Sequence, residues 1–116
     1  MRLRQSAVAL AGVLALSTIT AGPAGAATGQ FQYTFVGLDG TPQRAVLDDP
    51  RGGECITLPE VADPGASEPA HSPRNRTDAA ATVFTEPGCE GDYFTLRPYT
   101  GRGSERLKLR SVVFSR

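Results

Sequence analysis

Apolar residues recur at every second position in this chain, and that habit limits what it can fold into. Phe31, Tyr33 and Phe35 alternate with Gln30, Gln32 and Thr34, the pattern of a strand with one buried face. Leu38-Asp39-Gly40-Thr41-Pro42 reads as a turn and Arg44-Ala45-Val46-Leu47 as a short returning strand. A second turn, Asp49-Pro50-Arg51-Gly52-Gly53, leads into Glu54-Cys55-Ile56-Thr57-Leu58. Strands are expected again over residues 81–85 and 92–96, and last over 107–109, with basic side chains alternating outward. The apolar phase then slips from Leu107 and Leu109 to Val112 and Phe114. A strand cannot change face without a bulge or bend, so one is expected at Arg110-Ser111. No window beyond residue 27 supports a long amphipathic helix. The expected fold class is all-β and antiparallel.

The N-terminus follows a different logic. Arg2 and Arg4 precede an apolar run from Ala7 to Leu16, followed by the small-residue stretch Ala24-Gly25-Ala26-Ala27. That order of basic, apolar and small residues reads as a secretory signal peptide over residues 1–27. The run is too short for a bilayer-spanning helix of about 20 residues, so no membrane span is expected. Cleavage after Ala27, or after Ala26, would leave a single small domain over residues 28–116, secreted to the extracellular space. Removing Arg2 and Arg4 leaves 10 basic against 12 acidic side chains, a formal charge of −2. Such a balance gives no general attraction to nucleic acid. A domain of this size has a marginal core. Cys55 and Cys89 are its two cysteines, and an oxidising compartment favours a bridge between them. Closing that loop is worth roughly 4 kcal/mol in the unfolded-state entropy model.

Residues 59–78 hold Pro59, Pro64, Pro69 and Pro73 with little apolar content beyond Val61 and several alanines. Proline is poorly suited to a sheet interior, so the segment is expected to be a long loop. It is either a tolerated insertion or a presented binding surface.

Phe84-Thr85-Glu86-Pro87-Gly88-Cys89-Glu90-Gly91 resembles the opening of a βγ-crystallin Greek-key motif, with Phe84 as its aromatic, Gly91 as its hairpin glycine and Ser111 as its late serine. A hairpin folded back over its own sheet needs a glycine free to take positive φ, and a serine hydroxyl can tie it down. A fainter copy begins at Tyr33, with Gly40 and Ser72 in the same roles. The resemblance implies a small βγ-crystallin-like Greek-key β-sandwich. Ser72-Pro73-Arg74-Asn75-Arg76-Thr77 and Cys89-Glu90-Gly91 also resemble segments of the secreted actinobacterial (Streptomyces) metalloproteinase inhibitor family. Members of that family commonly carry two disulfides where this chain has cysteines for one, and no reactive-site residue aligns. The resemblance implies an inhibitor of an extracellular protease, acting through a constrained loop.

Calcium-binding crystallin domains place oxygen ligands before the late serine. Here Arg106-Leu107-Lys108-Leu109-Arg110-Ser111 supplies none, and Ser67-Glu68-Pro69-Ala70-His71-Ser72 offers Glu68 alone as a charged ligand. Calcium takes six to eight oxygens, so no metal site and no cofactor is expected. Asp48-Asp49 reads as a solvated turn. One histidine and two bridged cysteines fall short of a zinc set. A hydrolase needs a nucleophile, a base and a group to orient it. His71 lies in the proline-rich loop, and Ser67, Ser72 and Ser104 have no nucleophile context. Glu86, Glu90 and Asp92 crowd one hairpin as a charged rim, so no catalytic residue is assigned.

The expected function is therefore a peptidase inhibitor or inhibitor-like protein, not an enzyme, and monomeric. Its contact loop would run from Val61 to His71, with Glu68 or His71 able to approach a catalytic metal. The alternative is a non-inhibitory extracellular structural or binding protein. In that case Arg106, Lys108 and Arg110, alternating with leucines, would form an exposed stripe for an anionic surface.

Overall fold

The computed structural model describes residues 25–116, and the signal-peptide reading falls mainly on residues outside that range. Eight strands form two four-stranded sheets. They are β1 (Gly29–Val36), β2 (Pro42–Asp48), β3 (Ile56–Thr57), β4 (Ala70–Thr77), β5 (Ala80–Glu86), β6 (Glu90–Leu96), β7 (Lys108–Leu109) and β8 (Ser111–Ser115). One sheet runs β2-β1-β4-β7 and the other β3-β8-β5-β6, with every strand pair antiparallel. Each half of the chain keeps three strands in one sheet and lends its third to the other: β3 crosses to pair with β8, and β7 crosses to pair with β4. The two halves are thereby interlocked. Among the described residues no helix is long and apolar enough to cross a membrane.

The alternation read from the sequence fills the space between the sheets. Phe31 and Tyr33 of β1, Ala81 and Val83 of β5, Leu96, Leu109, Val112 and Phe114 are all buried there. Phe31 meets Phe114 edge-on, with ring centroids 5.4 Å apart and planes at 82°, a favoured aromatic geometry. Each large side chain so buried stabilises the fold by about 1.5–3 kcal/mol.

The bend expected at Arg110-Ser111 is present, and it carries the chain from one sheet to the other: β7 ends at Leu109 in the first sheet, and β8 begins at Ser111 in the second. The proline-rich loop is shorter than expected. After a 3-10 turn at Pro59–Val61, its second part is β4, an inner strand between β1 and β7. Pro73 is tolerated because the β1–β4 register shifts between Gln32 and Thr34, so no ladder bond there needs its missing N–H. Its carbonyl still accepts from Gly103 N–H at 2.9 Å.

Polar residues inside β4 are satisfied locally. Asn75 is wholly buried. Its amide donates toward the carbonyls of Ala79 at 2.8 Å and Arg97 at 3.0 Å. Its Oδ1 accepts from the Thr77 hydroxyl at 2.7 Å and the Thr77 N–H at 3.1 Å. The Asn-x-Thr segment thus pins the β4–β5 turn to the end of β6.

Candidate functional site

The second hairpin, β5–β6, is folded down and fastened. Gly91 has φ +87°, and a Cβ there would clash with Thr85 Oγ1 and Glu86 Cγ. The Thr85 hydroxyl accepts from Asp92 N–H at 3.0 Å. Ser111 is fully buried; its hydroxyl donates to Glu86 O at 2.6 Å and accepts from Cys89 N–H at 2.8 Å. Thr57 accepts from Gly88 N–H at 3.0 Å. Cys89 is bridged to Cys55, with Cα atoms 5.9 Å apart. Phe84 lies opposite Tyr93, ring centroids 6.0 Å apart, on the outer side.

The segment expected to be the contact loop is buried at Val61 and Ala70 but exposed over residues 62–66 and at Glu68. Val61 is buried in the core beside Leu58, so it cannot enter another protein's cleft. His71 belongs to β4, half-buried, with Nδ1 2.8 Å from Ser72 Oγ. Glu68 alone of the three is exposed. Arg110, expected on an exposed stripe, is buried instead, with Arg106 and Lys108 left exposed. The sheet change at residue 110 turns its side chain inward. The guanidinium donates to Val61 O at 3.0 Å, Ser67 O at 2.8 Å and Ser67 Oγ at 3.3 Å, holding the loop against the sandwich. Within that loop Asp63 caps a tight turn, accepting from Gly65 N–H at 2.9 Å through Oδ1 and from Ala66 N–H at 3.0 Å through its carbonyl. Glu60 anchors its start by accepting from the buried Tyr33 hydroxyl at 2.6 Å. Burial, then Glu60, push the Tyr33 pKa upward.

The first hairpin presents its tip. Gly40 N–H donates to Gly37 O at 2.9 Å, and Gly37 N–H to Thr41 O at 2.9 Å. Asp39 Oδ1 accepts from the Thr41 hydroxyl at 2.7 Å and the Thr41 N–H at 3.0 Å. These bonds, the hydroxyl's first, hold the Asp39 carboxyl below its usual range. Leu38, at the apex, is fully exposed. A groove of about 380 Å³ separates this tip from the loop, lined by Phe35, Val36, Leu38, Glu60, Ser67 and Glu68. Leu38 was missed from sequence because Asp39-Gly40-Thr41-Pro42 marks a solvated turn. An apolar residue within that polar signature is the signal that could have found it.

No family model, curated protein or solved structure matches this chain. The site therefore rests on its own geometry. Ser72 Oγ faces His71 Nδ1, but among the described residues no carboxylate hydrogen-bonds that imidazole to orient it. Nor do three or more His, Cys, Asp or Glu side chains converge among those residues. What the geometry offers is an internally bonded apolar tip beside a latched loop.

Proposed function

We propose that this protein is a secreted, βγ-crystallin-like peptidase inhibitor or inhibitor-like protein, and that its contact surface is the end formed by the 37–41 tip and the 62–68 loop. The reading is supported by the strand exchange between halves, the single disulfide and the serine-tied hairpin. The carrying observation is Leu38: a fully exposed leucine at the apex of an internally bonded turn. Burial of one leucine is worth about 1.5–3 kcal/mol. Because the turn is already ordered, little entropy is lost on insertion into a protease's apolar subsite. Glu68, across the groove, would meet the rim of the same cleft.

Stoichiometric titration against a thermolysin-like and a subtilisin-like protease tests the reading. Inhibition that weakens by about tenfold or more in Leu38→Ala, with the fold intact, is the expected result. Absence of inhibition of either protease at micromolar protein would sink it.

A further inference from the structure

The outer side of the β2-β1-β4-β7 sheet is predominantly cationic. Strand register aligns its side chains in three rows. Asp48, Gln30 and Arg76 form the first; Val46, Gln32, Arg74 and Arg102 the second; Arg44, Thr34, His71 and Lys108 the third. The intervening residues Phe31, Tyr33, Asn75 and Leu109 are buried, so these rows face solvent. Five cations stand against one carboxylate, in a chain whose formal charge is zero. The ion pairs among the described residues are Arg51–Glu54 and Arg116–Asp78. None of the five cations pairs with a carboxylate among those residues.

Protection of sheet edges accounts for Arg44 on β2 and Lys108 on β7. It does not account for Arg74 and Arg76 on an inner strand, where concentrated charge repels itself. These two arginines and Arg102 line a groove of about 460 Å³ that also contains Tyr99. Tyr99 is exposed and held at φ +66°, an uncommon conformation for a bulky residue, at the lining of that groove. Guanidinium groups match planar anions bidentately. Gln30, Gln32 and Thr34 interleave amide and hydroxyl groups suited to a polyhydroxylated chain.

We propose that this face binds a linear acidic polysaccharide. Arg74, Arg76 and Arg102 seat its anionic groups, Tyr99 packs on a sugar ring, and Arg44 and Lys108 extend the track. The proposal is independent of protease inhibition.

Equilibrium binding of the purified protein to polygalacturonate and dextran sulfate tests it, with neutral dextran, polyphosphate, single-stranded DNA and phosphatidylglycerol vesicles as comparators. The charge-matched variants are Arg74→Ser/Arg76→Ser and, among the ion-paired arginines, Arg51→Ser/Arg116→Ser. The first pair should weaken binding to the acidic polysaccharides by about tenfold or more and lower the salt slope by about two; the second should leave both nearly unchanged. Tyr99→Ala should weaken polysaccharide binding and leave any polyphosphate binding unaltered. Equal losses in the two arginine pairs would reduce the effect to net charge and overturn the proposal. So would tighter binding to polyphosphate, DNA or vesicles, or no binding to either acidic polysaccharide. Should the first pair fail to fold, the exposed single change Arg76→Glu gives the same reading: undiminished binding refutes the site.

Discussion

The two hairpins of this protein occupy corresponding places in its halves, yet they are used in opposite ways. The β5–β6 hairpin is closed onto the sandwich by Ser111, Thr57, Thr85 and the Cys55–Cys89 bridge. Among the described residues the β1–β2 tip has no such fastening: its bonds are its own, and Gly40, also at positive φ, has open space where a Cβ would go. Ser72, the serine expected to fasten it, faces His71 instead. One half supplies rigidity and leaves the other free to present a leucine. Similar sequence punctuation therefore does not imply similar use; what matters is whether a partner hydroxyl reaches the turn.

That contrast can be broken at its strongest point first. Cys55→Ala/Cys89→Ala should cost roughly 2–5 kcal/mol of stability, measured by denaturant unfolding without reductant. Next comes Ser111→Ala, which leaves a carbonyl and an N–H without their partner and should cost about 1–3 kcal/mol. Ser72→Ala, in the same assay, should change stability by less than about 1 kcal/mol; equal losses at both serines would abolish the distinction between the halves. The glycines sharpen it further. Gly91→Ala adds a clash to its strained φ and should destabilise more than Gly40→Ala, which meets φ strain of about 1–2 kcal/mol alone. Leu38→Ala should have the smallest effect, within about 0.5 kcal/mol, as for surface positions generally.

Much of the sandwich was legible because period-two alternation survives wherever one face is buried. Phe31, Tyr33, Val83 and Phe114 all announce their side. β4 was not legible, for two physical reasons. Beyond Ala70 its inward positions are Pro73, Asn75 and Thr77 rather than aliphatics, so the polar network that fills that part of the core hides the pattern. Its proline is tolerated by a register shift that depends on β1, a strand distant in sequence. Ser111 could be anticipated as a tie only through the resemblance to the crystallin motif, since it reaches the β5–β6 hairpin from β8, 22 residues beyond Cys89. Arg110 could not, since a basic residue between leucines looks solvent-facing until the chain is known to change sheets there. Val61 looked like loop surface although Pro59, at the first position of the 3-10 turn, is a start signal; three residues are too few for an apolar period to show which side faces inward. The cationic face was equally hidden. Arg44, Arg74, Arg76, Arg102 and Lys108 are scattered along the chain and meet only through register.

The inward arginine has one more consequence. Arg110 spreads its donors in a planar fork, and two of its three acceptors, Val61 O and Ser67 O, are main-chain atoms. The latch over residues 61–67 therefore grips the course of the loop rather than the identity of its side chains. Ala62, Pro64 and Ala66 lend no side chain to those bonds, so exchanging them should leave the loop in place. The surface between the two latch points can thus be altered without undoing the fastening beneath it.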